Sequence, residues 1–515
     1  MFCAMPGKSN MGLKEKTLKN SFYSAIAQII MIFLRFLSRY FLIRYIGVEL
    51  VGLSDTISST VGMLSLAEVG IESAISYSLY TPIKDGDKES INKIMNVFRR
   101  LYAILSGIIL LIGINGLFFL KYILKGIDIN FMVYCIYFLY VGNTCISYLL
   151  CHRRTLLYAD IQEYIVKKID IATNILFTVL GLIIILVTHD IIFYTITLIF
   201  QTFVSNFWIH VSSRKIYPYL KNGPVDKKIL RNTLLYAKDL FWGTVAGFVY
   251  GSTDNIIVSG FLGTVYVGYL GNYSLVSKSI QTIVTKVLSP ITPTIGRLQR
   301  EDISKKQFNS IFYKYHQICY LSALAVTVPM LVLFDGFIIF AFGQDYILSS
   351  SVKYLLAYVF YVNIAAFAYG NILTTSGAFK LLRQVEMTGA VANIVTSLIL
   401  VNIMGLPGVF LGTAITVTIQ WVIRSLMVYI NNLCLGGKAW FLSMIKEVYK
   451  IAIVIVSYIF GSYLYSIISV PFIIKFVICG SLSMVLSIVL YLIMYWFDDR
   501  FTPQFVLSIL KRRRT

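Results

Sequence analysis

The sequence predicts an all-α polytopic membrane protein of about fourteen transmembrane helices, built as two pseudo-symmetric six-helix bundles with two further C-terminal helices. Three observations predict it. Only 13% of the 515 residues are charged while 57% are hydrophobic, against roughly a quarter charged in a soluble protein. Apolar runs of about 20 residues, the length that crosses a bilayer, recur along nearly the whole chain. A glycine motif near the end of the first run returns in the second half, which is the mark of an internal repeat.

The apolar runs fall at 21–46, 55–82, 101–120, 131–151, 169–188, 191–212, 240–262, 266–294, 317–342, 351–375, 386–404, 408–430, 450–469 and 472–497. Their connections alternate in character. The segments 84–100, 152–168, 213–238, 296–314, 376–385 and 431–450 are basic, as are both termini, whereas 121–130, 189–190, 263–265, 344–350, 405–407 and 470–471 are short and nearly uncharged. About 35 of the 45 cations lie on the first side, which the positive-inside rule makes cytoplasmic. The expectation is a multi-pass protein of the cytoplasmic membrane with both termini inside. The net charge of +21 is therefore assigned to a membrane surface and not to nucleic acid, and the tail Lys511, Arg512, Arg513, Arg514 reads as an anchor on anionic inner-leaflet lipid. The stretch 85–100 places Ile91, Ile94, Met95 and Phe98 at helical spacing and reads as a short interfacial helix.

Lys8, Lys14, Lys16 and Lys19 before the first run mimic a signal peptide, but that run continues past Arg35 and Arg39 without a cleavage site, so it is expected to be retained. Met11 is an alternative start. The seven cysteines show no CxxC or histidine spacing, so neither a disulfide framework nor a metal site is expected. His152, His189, His210 and His316 stand apart near run ends and are expected at the interfaces. There is no Gly-x-x-x-x-Gly-Lys-Ser/Thr phosphate loop, so ATP drive is not encoded here.

The segment RYIGVELVGLSDTISS, with Gly47 and Gly52, recurs 216 positions later as GFLGTVYVGYLGNYSL, with Gly263 and Gly268. Six helices separate the copies, so both have the same orientation and the pseudo-axis runs along the membrane normal. The expected organisation is a cytoplasmic tail at 1–19, one bundle at 20–238, a second at 239–430, and 431–515 carrying the last two helices and a basic tail.

Charges at membrane depth are costly and mark function or pairing. Arg35 and Arg39 share one face of the first span, and Glu68 and Glu72 one face of the second. The seventh and eighth spans invert this, with Asp254 on the seventh and Lys278 and Lys286 on the eighth. Adding Arg424 leaves two cations more than acids. Glu68, Glu72 and Asp254 are candidates for coupling or ion pairing. Gly247, Gly251, Gly260, Pro290 and Pro293 are candidate hinges, since glycine allows close approach and proline removes a backbone donor.

At several of these positions the sequence resembles a known group. The pattern Gly47-x-Glu49-x-x-Gly52-Leu53, the run LAEVGIESAI at 66–75, TDNIIVSGFLG at 253–263 and Val-Gly-Tyr at 267–269 look like the polysaccharide transporter family of the multidrug/oligosaccharidyl-lipid/polysaccharide exporter superfamily. The resemblance implies a transporter, not an enzyme, that flips polyprenyl-diphosphate-linked oligosaccharide between leaflets. Its helix count is similar to that of lipid II flippases in the same superfamily. On this reading Arg35, Arg39, Lys278, Lys286 and Arg424 form a central substrate-binding set, because arginine forks and lysine charges suit a diphosphate. Membrane lipids, a polysaccharide polymerase and glycosyltransferases are the implied partners. No cofactor is expected, and the coupling ion, Na+ or H+, is left open. The competing readings are a cation-coupled multidrug exporter of the same fold, which would favour an acid-lined lobe, and a membrane polymerase or acyltransferase, which would need catalytic groups on a sizeable outside loop.

Overall fold

A computed structural model of the chain describes residues 9–64, 71–231, 233–234, 253–299 and 304–496. The described residues form helices and no strand. In hydrocarbon the backbone groups are satisfied only in helices or closed barrels, and apolar runs of about 20 residues have the length of helices. The chain divides into two compact units, Met1–Gly271 and Asn272–Thr515.

The first unit holds α1 (Ser9–Tyr45), α2 (Val48–Leu64), α3 (Ile71–Asp85), α4 (Lys88–Gly116), a short α5 (Leu120–Ile123), α6 (Phe131–Ala159), α7 (Glu163–Thr188), α8 (Ile191–Ile216), a helix described over 253–262 (α9), and the first turns of α10 (Thr264–Leu288). Gly47 and Gly263 make the turns from α1 to α2 and from α9 to α10 at φ +95° and +111°, a backbone region that only glycine enters cheaply. One core joins α3, α4, α6, α7 and α8 through Ile75, Phe98, Tyr102, Leu156, Val166 and Ile209. A second, through Leu53, Ile57, Val61, Val133 and Ile136, packs α2 on α6.

The second unit holds the rest of α10, then α11 (Thr292–Leu298), α12 (Lys305–Phe342), α13 (Ser350–Ala365), α14 (Phe367–Thr375), α15 (Phe379–Met404), α16 (Leu406–Met427), α17 (Gly436–Ile467) and α18 (Phe472–Trp496). The apolar windows of α12 and of α16 with its π-helical extension are 61% buried, against 22% for α17 and for α18. The first pair therefore forms the middle of the unit and the last pair its flank. Along the peripheral helices, side chains such as Leu111, Ile183, Ile399 and Ile459 are more than half exposed, as lipid-facing residues are, because the hydrocarbon is as apolar as they are.

Eleven helices among the described residues are long and apolar enough to cross a membrane, and the chain is a multi-pass membrane protein. Of the three other expected spans, 55–82 and 240–262 run through undescribed residues. The third is represented by α10, which is long enough to cross but less apolar than the eleven. Two expectations change. The stretch 85–100 is not a separate interfacial helix; from Lys88 on it forms the first turns of α4, whose apolar face, including Ile91, Ile94, Met95 and Phe98, is buried. No Gly or Pro intervenes to break it. His152 and His316 are not interfacial but buried, and His316 lies among the rings of Phe312, Tyr320 and Tyr369.

Candidate functional site

The residues of the glycine motif and its copy meet inside the first unit. A Cβ on Gly52 would collide with the Thr264 carbonyl, and one on Gly268 with the Val48 carbonyl. Thr264 is the copy of Val48 and Gly268 the copy of Gly52. Such reciprocity is what a local two-fold axis through the crossing of α2 and α10 produces. Small residues at a membrane helix crossing let backbones approach where van der Waals packing is the main attraction.

Arg39 closes this crossing. It is 8% exposed, donates through Nη1 to Asp55 Oδ2 at 2.5 Å and through Nη2 to the Gly268 carbonyl at 2.7 Å. It also fills the place a side chain on Gly271 would need. Asp55, in the second turn of α2, is a partner that sequence reasoning missed. Around the pair, Ser54 shares a 2.6 Å hydrogen bond with Tyr140. On α9, Asn255, the copy of Arg39, donates to Ser59 Oγ at 2.9 Å. First-span and seventh-span positions thus reach across to α10 and α2 respectively.

Among the other expected residues, Arg35 on α1 is exposed and makes no ion pair among the described residues. Lys278 and Lys286 on α10 are likewise exposed and make no ion pair among the described residues. Arg424 is taken by Glu386 of α15, an acid that the sequence puts at the very start of a span, and Gln420 adds a 3.4 Å hydrogen bond to the same carboxylate. Asp254 is half-buried on α9. Glu68, Gly247 and Gly251 lie outside the described residues, and the side chain of Glu72 on α3 does too. A Cβ added to Gly260 would stand 3.2 Å from the Tyr122 carbonyl. Pro290 stands in a 3-10 turn, Ser289–Ile291, between α10 and α11, and Pro293 at the start of α11, so the eighth span is interrupted where the prolines were expected to bend it.

Two further polar clusters escape a sequence reading because Arg154 and Glu447 lie on stretches that read as loops. In the first unit, Arg154 grips Asp170 with a fork of 3.0 and 2.7 Å and also donates to Asn206 and Ser205. In the second, Lys450 is bonded at 3.0 Å to Glu447 and sits 3.5 Å from the Tyr320 ring centroid, with both charges almost fully buried. Beside it, a cavity of about 290 Å3 between α12, α13 and α17 is lined by Tyr354, Tyr358, Tyr361 and Tyr458 with aliphatic side chains between them. No group of three or more His, Cys, Asp or Glu residues able to hold a metal exists among the described residues.

Comparison with known families decides the identity. The polysaccharide biosynthesis protein family matches residues 17–299, more than half of the chain. The chain belongs to that family. The other comparisons place this polysaccharide biosynthesis family member among transporter folds. Lipid II flippase MurJ in an inward closed conformation is similar at a TM-score of 0.59 and 14% identity, over 92% of this chain and 99% of that one. An inward-facing multidrug resistance MATE family transporter of the MOP superfamily gives 0.59 and 12%, over 78% and 96%. The Vibrio cholerae MATE transporter VcmN gives 0.55 and 12%, over 83% and 99%. At such identities the likeness is one of fold. None of the curated proteins matches this family member.

Proposed function

We propose that the protein is a flippase that carries a polyprenyl-diphosphate-linked oligosaccharide across the cytoplasmic membrane by alternating access. The observation that carries the reading is the family match over more than half of the chain. The charge distribution supports it. Arg35, Lys278 and Lys286 are exposed cations, and we assign them the diphosphate. Arg39 and Arg424 are occupied by Asp55 and Glu386, so their role is to hold helices. A cationic-drug exporter of the same fold would present free acids. Here the carboxylates of Asp55, Asp170, Asp335, Glu386 and Glu447 are each bonded to an arginine or lysine. Gly260, Pro290 and Pro293 are the proposed bending points, and Glu72 and Asp254 the proposed coupling acids.

The test is transport of a fluorescent polyprenyl-diphosphate oligosaccharide into proteoliposomes. The protein is expected to move it, with Arg35→Gln, Lys278→Gln and Lys286→Gln each slowing transport about tenfold, the equivalent of one charge-assisted hydrogen bond. Efflux of a cationic dye with no movement of the lipid-linked sugar would replace this reading by the drug exporter.

A further inference from the structure

Arg153 and its neighbour Arg154 on α6 have opposite fates. Arg154 is saturated by Asp170, Asn206 and Ser205. Arg153 is 9% exposed, and its buried Nε and Nη1 have no hydrogen-bond partner among the described residues. The cationic side chains acting on it are Arg214 of α8 and Arg99 of α4, both of its own sign. His152 and His210, with rings 6.1 Å apart, stand in the same cluster, and the buried Nδ1 of His210 bonds to no described residue. Burying a guanidinium without an acceptor is costly, and two like charges beside it raise that cost.

The fold nonetheless holds this arrangement firmly. Asn92 and Asn96 of α4 bind the backbone of Lys221 and Gly223, and Arg99 donates to Asn222. The basic segment after α8 is thereby strapped down beside the arginines. Arg214, in the last turn of α8, is exposed and leads from the surface toward Arg153. An anion with several acceptor oxygens would satisfy all of these donors together. A phosphoryl group accepts from forked guanidinium groups and from the histidines, which a halide or a single carboxylate does less completely.

We infer that the ends of α4, α6 and α8 form a phosphate-binding site centred on Arg153 and Arg214, filled by the headgroup of an anionic phospholipid. The lipid source follows from the helix face. Trp208, Val211 and Arg214 succeed one another at three-residue spacing, and Trp208 and Val211 are 48% and 38% exposed. The lipid-facing stripe of α8 therefore runs directly into the arginine, as at basic headgroup sites between membrane helices.

The experiment uses the full chain purified in detergent, read by native mass spectrometry for retained phosphatidylglycerol and by thermal melting. Three additions are compared: phosphatidylglycerol, phosphatidylcholine, and inorganic phosphate at matched ionic strength. Phosphatidylglycerol is expected to be retained and to raise the melting temperature, with retention falling about tenfold in Arg153→Gln and Arg214→Gln and unchanged in Lys121→Gln. Saturable stabilisation by inorganic phosphate, lost in the same two variants and unmatched by lipid, would keep the site and overturn its lipid occupant. If Arg153→Gln fails to fold, the exposed Arg214→Gln gives the reading. Retention and melting that follow neither phosphate nor phosphatidylglycerol, or that are unchanged by Arg214→Gln, overturn the site.

Discussion

At the scale of single residues, several buried charges are paired across helices: Arg39 with Asp55, Arg154 with Asp170, Lys353 with Asp335 and Arg424 with Glu386. Arg39 illustrates the consequence. Removing one partner of a buried pair costs about 3–5 kcal/mol, and Asp55 retains 32% of its side-chain exposure, so Asp55→Asn is expected to lower stability by about 1–3 kcal/mol. Thermal melting in detergent checks this, and a double-mutant cycle with Arg39→Gln should return a coupling of similar size. Asp87 gives a pH prediction. It caps α4 by accepting from the amides of Glu89 and Ser90, and hydrogen bonds from Ser90 hold its carboxyl below the ordinary carboxylate value. A lowered folded value means that the cap contributes fully above the unfolded pKa and is lost as pH falls through the folded one. The melting gap between wild type and Asp87→Ala is thus expected to be widest at neutral pH and to close on acidification; a gap constant down to pH about 3 would remove this role. Arg39 was legible in the sequence because a cation inside an apolar run is conspicuous. Asp55 was not, since the apolar run of the second span starts only at that residue. The helix begins at Val48, which carries Asp55 about 10 Å along its axis.

At the scale of elements, glycine decides how closely helices cross. Gly52→Ala puts a methyl against the Thr264 carbonyl, and backbone cannot step aside as a flexible side chain can. It should destabilise the protein by about 1–3 kcal/mol and impair transport. At Gly107 of α4 an added Cβ would meet nothing within 4 Å, so Gly107→Ala should be neutral or stabilising by up to about 1 kcal/mol through helix propensity. Comparing the two melting curves tests the crossing directly, and equal effects would deny it. The repeat was visible as letters before any fold was drawn. That its two copies touch each other through the same pair of positions was not, because spacing along a chain fixes orientation and not contact.

At the scale of the whole molecule, topology is the proposition with the widest consequences. Single cysteines in a cysteine-free background are expected to be labelled from the cytoplasm at 84–100 and 213–238 and from outside at 121–130, as the lysine and arginine asymmetry requires. Labelling of 213–238 from outside would overturn the fourteen-span map and the parallel repeat.

Composition and the length of the apolar runs by themselves determined that this chain lives in a bilayer and crosses it as helices, because a bilayer tolerates few charges and runs of about 20 apolar residues span it as helix and not as strand. They also marked the repeat and the cations Arg35, Arg39, Lys278, Lys286 and Arg424. The tertiary structure alone decided which of those cations are taken: Arg39 meets Asp55 and Gly268, Arg424 meets Glu386, and Arg35, Lys278 and Lys286 stay exposed. It also decided that Arg153 and Lys450, which fall on loops by sequence, are buried. The reason is physical: transfer out of water is a property of each segment and can be summed along the chain, whereas ion pairing depends on distances of a few ångströms between segments.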